Sequence, residues 1–363
     1  MPRPDKRLYL IPVLSKALDV LEMLQSNSQP MSLSELHART RFSKTTLYRV
    51  MKTFVHRGYV AQLPDGSYRH VAKQRKLCFG FGSQSADMPF SQEVTESLVA
   101  AASRAGVELL ILDNKYDASA AVQNAEEFIQ RRVDLIIELQ VEQEVAPVIG
   151  HRIAAAKIPL IAVDIPHANA TYFGVDNFQV GHEAGEVLAR HAHARWSGKV
   201  DWIVGLDLVE AGPLVQSRTS GAFEAMRSAL PELSNNSFIR MDGRGLRDVS
   251  RKLTKEFLAK HPKDKRILLA AATDTSALGA VEAIREAKRE KQVAVVGQDC
   301  IADAVIEMKR RSSPMIGSIS HETSSYGPAL IVLGMALLRG QTVAPYNYVK
   351  HRTVTRDSLL PPA

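Results

Sequence analysis

The chain has 363 residues, 45% of them hydrophobic and 23% charged, with a formal net charge of +7. This composition excludes a disordered tail and a collagen-like rod, and at roughly 150 residues per domain the length predicts two or three units, each with its own core. Cys78 and Cys300 are the only cysteines, too few for a disulfide framework or a four-ligand zinc site, and no window approaches about 18 uninterrupted apolar residues, which argues against a membrane-spanning helix.

The opening segment, MPRPDKRLYLIPVLSKALDVLEML, shows no apolar signal region ending in a small-residue cleavage site, so a cytoplasmic protein is expected. Charge is unevenly placed. Residues 1–76 carry 14 Lys/Arg against 5 Asp/Glu, net +9, and the remainder is net −2. A basic module on a near-neutral body is the footprint of a protein that meets a polyanion through one domain; the alternative is a basic surface serving solubility. Residues 15–26 place Ala17, Leu18, Leu21 and Leu24 on one helical stripe, and 32–40 form a short helix separated by RFS from a third, 43–57. In that third helix Leu47, Val50, Met51, Phe54 and Val55 share one face. Thr45, Tyr48, Arg49 and Lys52 share the other, with Lys44 beside them; Ser43 is the candidate N-cap and Gly58 the terminator. Two helices joined so tightly make a helix-turn-helix, and YVAQL and SYRHV around Pro64-Asp65-Gly66 make a hairpin wing.

Residues 13–72 resemble the IclR-type winged helix-turn-helix through SKALDVLEML, LSELHARTRF, SKTTLYRVMKTFVHRGYV and GSYRHV. The resemblance implies that the third helix enters the major groove of double-stranded DNA, with Thr45, Tyr48 and Arg49 at base edges and Lys44 and Lys52 on phosphates. Arg49 would read guanine bidentately, and Arg41 and Arg69 would contact the backbone or minor groove. For each of these residues a solvated surface charge or polar group is the alternative. The resemblance ends at the wing, and residues 77–363 do not match the usual IclR effector domain.

Beyond Lys76, short apolar runs alternate with amphipathic segments, the pattern of a parallel sheet with helices on both faces. Candidate strands are 107–113, 134–139, 159–164, 201–206, 238–242, 266–271, 293–299 and 314–320. Eight strands over nearly 290 residues favour two α/β lobes over one, and ligands in such sheets bind beyond the carboxyl ends of strands. That singles out Asp164, Thr273, Asp274, Asp299, Ser320 and His321. Asp274 is equally a helix N-cap and His321 equally a satisfied histidine; Gln84, Asp87 and Glu138 lie near strand ends and read more readily as loop residues.

Through most of 78–345 the chain resembles the type I periplasmic-binding-protein fold, in the branch of ribose-binding-like proteins and LacI-type sensor domains. The marks are MPF, KIPLIAVD, YFGVDNFQVGHEAGEVLA, SRTSGAFEAM, AATDTSALGAVEAIREA, VVGQD and SISHETSSYG. The resemblance implies that Asp164, Arg218 and Asp299 grip sugar hydroxyls and that Phe90 packs on a sugar face. It departs at Ile165 for an arginine, Gly243 for an aromatic, Thr273 for an asparagine and His321 for a glutamine. A ligand other than ribose is therefore expected: a smaller or more flexible polyol, or an unusual pentose.

Enzyme readings find little. The GFG of Gly80 and Gly82 lacks the third glycine of a dinucleotide fingerprint; a P-loop, HExxH and GxSxG are absent. The expected domains are 1–72, a linker 73–77 and 78–363. The expected protein is a non-enzymatic, sugar-responsive regulator without cofactor or metal, a homodimer on a palindromic operator; a sensory scaffold that uses its winged helix for protein contacts is the second reading.

Overall fold

The computed structural model describes residues 11–71 and 76–359. They form two compact units that divide between Lys76 and Leu77. The opening ten residues and most of the expected linker lie outside the described residues. No described helix is long and apolar enough to cross a membrane.

The first unit contains α1 (Pro12–Ser26), α2 (Leu33–Thr40), α3 (Lys44–His56) and a hairpin of β1 (Val60–Gln62) and antiparallel β2 (Tyr68–His70). α1 starts earlier than its apolar stripe predicts because Pro12, with its preset φ, opens the helix. α2 begins with a full capping box: the Ser32 amide donates to Glu35 Oε2 at 2.7 Å and the Glu35 amide to Ser32 Oγ at 3.2 Å. Arg41, at φ 55°, turns the chain between α2 and α3, and Ser43 Oγ accepts from the Thr46 amide at 3.2 Å to start α3. Gly58, at φ 73°, reverses it afterwards. Val20, Leu24, Leu36, Leu47, Met51 and Tyr68 form the core.

The second unit is two doubly wound lobes. The first lobe takes β3 (Cys78–Ser83), α4 (Pro89–Ala105), β4 (Glu108–Asp113), α5 (Ala118–Gln130), β5 (Leu135–Leu139), α6 (Ala146–Ala155), β6 (Leu160–Val163) and β7 (Thr171–Gly174). The chain then crosses to the second lobe for α7 (Asn177–Trp196), β8 (Trp202–Asp207), α8 (Gly212–Ala229), β9 (Phe238–Asp242), α9 (Arg247–Lys260), β10 (Ile267–Ala271), α10 (Asp274–Glu286), β11 (Val293–Asp299), α11 (Ala302–Lys309) and β12 (Met315–Ser320). It returns to the first lobe for α12 (Tyr326–Leu338) and β13 (Tyr346–Tyr348), and crosses a third time to β14 (Arg352–Thr355). The sheet orders are β4-β3-β5-β6-β7-β13, all parallel, and β9-β8-β10-β11-β12-β14, parallel except for the last pair. Central strands such as β10 and β11 are buried along their whole length, as sheets covered on both faces require.

All eight strands read from the sequence are present, with ends shifted by a residue or so. Four others in this unit escaped that list. β3 was diluted by its glycines, which are interior positions of a central strand: a Cβ at Gly80 would stand 2.7 Å from the Phe128 ring and one at Gly82 would overlap the Glu138 carboxylate. β7, β13 and β14 span only three or four residues each.

Candidate functional site

The carboxyl ends of the strands in both lobes face a shared cleft, as the crevice rule for open parallel sheets predicts. It holds a cavity whose lining includes Gln84, Phe90, Asp164, Arg218, Thr273 and Asp299. Asp164 follows β6 in a three-residue turn: its φ is 61° and the Ile165 amide donates to the Val163 carbonyl at 2.7 Å. Asp299 closes β11 at φ 101°, and Cys300 beside it lies at φ 61°. Left-handed backbone at two non-glycine strand ends is strain of the kind that clusters at ligand sites. Arg218 is anchored from behind, Nε donating to Asn177 Oδ1 at 2.7 Å and Nη1 to the Ala272 carbonyl at 2.9 Å, so its Nη2 edge remains for a ligand. Phe90, on α4, is braced edge-on by Tyr326 and His321, with ring centroids 5.9 and 6.2 Å away.

These charges are dry. Asp164, Arg218 and Asp299 are 8, 6 and 7% exposed. Burial pushes the Asp164 carboxyl up to about 6 against the pull of Arg218, and pushes Asp299 up to about 8, with Arg218 opposing and Asp164 adding to the rise. Asp164 Oδ1 is buried with no hydrogen-bond partner among the described residues. That oxygen lies on the β7 side, in the space a Cβ on Gly174 would take, while the residue itself lines the cavity, where a carboxylate suits a ligand hydroxyl.

The lobes meet across the mouth of the cleft. Tyr116 Oη donates to the Arg244 carbonyl at 2.9 Å, the Gln143 amide donates to the Glu210 carbonyl at 2.7 Å, and Val141 and Ile165 of one lobe join Leu208, Ala211 and Val215 of the other in one apolar cluster.

Two of the strand-end residues expected at the ligand, Asp274 and His321, stand outside the cavity wall, as does Ser320. Thr273, not Asp274, is the N-cap of α10, its Oγ1 accepting from the Ser276 amide at 3.2 Å. Asp274 points instead along β11 into the space that Gly297 leaves, accepting from Ser318 Oγ at 2.8 Å and the Ile301 amide at 3.0 Å. His321 is wholly buried behind Asp299, its Nδ1 3.3 Å from Asp299 Oδ1 without hydrogen-bond geometry and its Nε2 3.2 Å from Gln298 Oε1; burial drives its pKa far down, so it is neutral. Both residues form a layer that supports Asp299 and its strand. Gly243 is packed under Ser250 and Ser276, and it is Gly245 that reaches the cavity. Gln84 lines the cavity as well. Glu138 sits inside the first lobe, bonded by Asn114 Nδ2 at 2.7 Å and pushed up to about 8 by burial. Tyr116, Gln140, Leu208 and Val215 also line the cavity and carry no local sequence signal. Their only pointer is position a few residues past a strand end or on the first turn of the next helix.

In the first unit, Arg41, Lys44, Thr45, Tyr48, Arg49, Lys52 and Arg69 are all exposed. Lys52 Nζ lies 5.6 Å from the Tyr48 ring centre and 3.4 Å from Gln62 Oε1, which ties the outer face of α3 to the hairpin. Two of the unit's few acids are occupied locally, Glu35 in the capping box and Asp65 accepting from the Ser67 amide at 2.9 Å within the hairpin turn. Neither offsets the cations of α3 by pairing with them.

Comparison with known proteins matches residues 79–342 to the family model for the periplasmic binding protein domain and residues 13–64 to that for the IclR helix-turn-helix domain. Ribose import binding protein RbsB of Bacillus subtilis (strain 168) is 22% identical over 241 residues, 66% of this chain and 74% of that protein. A periplasmic solute-binding protein of Actinobacillus succinogenes 130z with bound D-allose is 20% identical at a TM-score of 0.68, covering 78% of this chain and 99% of its own. A solute-binding protein of Bacillus halodurans C-125 with bound myo-inositol is 17% identical at a TM-score of 0.67, over 80% and 98%. At these identities the solved structures share the fold.

Proposed function

Because the chain belongs to the periplasmic binding protein domain family and carries an IclR helix-turn-helix ahead of that domain, we propose that it is a DNA-binding transcription regulator controlled by a small carbohydrate or polyol. The observation that carries the ligand half is the buried trio of Asp164, Arg218 and Asp299 lining the cavity, the first from one lobe and the other two from the other. Neutral polyols suit such a site: charged groups make strong hydrogen bonds to hydroxyls, and Phe90 offers a planar apolar surface to ring C–H groups. The relatives that bind ribose, D-allose and myo-inositol support the same ligand class. The cavity holds a ligand and performs no chemistry on it.

The DNA half rests on the exposed outer face of α3, in a unit that gathers the chain's excess positive charge. Arg49, Thr45 and Tyr48 read bases, Lys44 and Lys52 hold phosphates, and Arg41 and Arg69 contact the backbone or the minor groove. A helix-turn-helix reads a short half-site, so the working form is a cytoplasmic homodimer on a palindromic operator. Ligand closes the two lobes and changes the placement of the paired DNA-binding units.

Selection of double-stranded DNA from a random pool by the full chain, followed by affinity measurement across salt, tests this reading. A palindromic consensus whose affinity falls steeply with salt is the expected result. Recovery of no consensus, with salt-independent binding, would leave the winged helix as a protein-contact module.

A further inference from the structure

The cleft is polar at one end and apolar at the other, and the same elements supply both. On α8, Arg218 and Val215 both line the cavity three residues apart, so the change from guanidinium to aliphatic takes about 4.5 Å along one helix face. At the end of β6 the turn at Asp164 brings Asp164 and the following Ile165 to the wall together. Leu208 and Ala211, ahead of α8, and Val141, after β5, complete the apolar end in one buried cluster. Two polar side chains near that end are tied to neighbouring carbonyls. Tyr116 Oη donates to the Arg244 carbonyl, and the Gln140 amide is closed on its own loop, Nε2 donating to the Glu142 carbonyl at 3.0 Å and Oε1 accepting from the Glu142 amide at 2.5 Å. A methyl group placed there meets aliphatic side chains from both lobes, whereas a hydroxyl at the opposite end meets the charged side chains of Asp164, Arg218 and Asp299.

Resting on the carbohydrate reading above, we propose that the cleft is built for a deoxy sugar, its hydroxyls against Asp164, Arg218 and Asp299 and its methyl group among Val141, Ile165, Leu208 and Val215. Calorimetry on the full chain with sugars that differ by one terminal hydroxyl, L-fucose against L-galactose and L-rhamnose against L-mannose, tests it. The methyl member of at least one pair binds roughly 10–100-fold tighter than its hydroxylated partner. Ile165→Thr and Val215→Thr, one from each lobe, each narrow that gap, with unchanged melting temperature showing that the variants fold. Equal or tighter binding of the hydroxylated members overturns the inference and leaves the carbohydrate reading standing. Absence of binding by both members of every pair overturns the deoxy-sugar inference, and the carbohydrate reading falls with it only if ribose, D-allose and myo-inositol also fail to bind.

Discussion

Asp164 has lost its water, keeps one carboxylate oxygen without a hydrogen bond, and is held in left-handed backbone by the strand before it and the turn after it. A group in that condition costs stability in the empty protein and returns it when a donor arrives. Asp164→Ala and Asp299→Ala should each lower carbohydrate affinity by about 1.5–3 kcal/mol, the range for hydrogen bonds to charged groups, while leaving DNA affinity in the absence of ligand unchanged; calorimetry and an operator titration read the two effects separately. Titration gives a second handle. Asp164 and Asp299 titrate near 6 and 8 in the fold, above the 3.8 of a free aspartate, so from about pH 4 to 8 the native state holds protons that the unfolded chain has released. Their contribution to stability is therefore full at low pH and lost as pH rises through that window. His167, pushed down to about 4 by burial, acts in the opposite sense up to about pH 6.5. The difference between the wild type and Asp299→Asn isolates the aspartate: the variant's melting temperature should gain on the wild type as pH rises from about 4 to 8. Hydroxyl donors favour the ionised carboxylates, so sugar binding should release protons near pH 7 and tighten toward pH 8. Calorimetry in buffers of different ionisation heat checks this, and net proton uptake would contradict it.

At the scale of the element, the first unit was legible because α2 and α3 mark their starts and α3 its end: Ser32 with Glu35, Ser43, and Gly58 all act as their residue types predict, whereas the start of α1 has no such mark. The outer face of α3 followed from spacing alone, and its side chains are exposed. Arg49→Ala should cost about 1–3 kcal/mol on the selected operator and relax preference at one base position, whereas Lys44→Ala should weaken all sequences alike and reduce the salt slope by about 1. Uniform weakening by Arg49→Ala would place that residue on phosphate. In the second unit, continuous apolar runs such as those of β10 and β11 were readable, but β3 was masked by glycines that its neighbours Phe128 and Glu138 require. The site was half legible for a related reason. Residues at strand ends can be picked from the sequence, but whether one faces the cavity depends on tertiary space: Gly297 admits Asp274 behind β11, and Tyr116 and Val215 reach the cleft only because the second lobe stands opposite the first.

At the scale of the molecule, the chain crosses between lobes three times, and the cleft mouth is closed by the Tyr116–Arg244 and Gln143–Glu210 contacts and an apolar cluster shared by the lobes. A ligand that satisfies Asp164, Arg218 and Asp299 from both sides favours the closed arrangement by the difference in its affinity for the two states. That difference is the free energy available to change DNA binding. The most direct test is operator affinity of the full chain measured without and with saturating sugar, in the wild type and in Asp164→Ala at the same sugar concentration. A shift of about 5–150-fold in the wild type that disappears in Asp164→Ala is the predicted result. Equal operator affinity with and without sugar, in wild-type protein shown by calorimetry to be saturated, would contradict it.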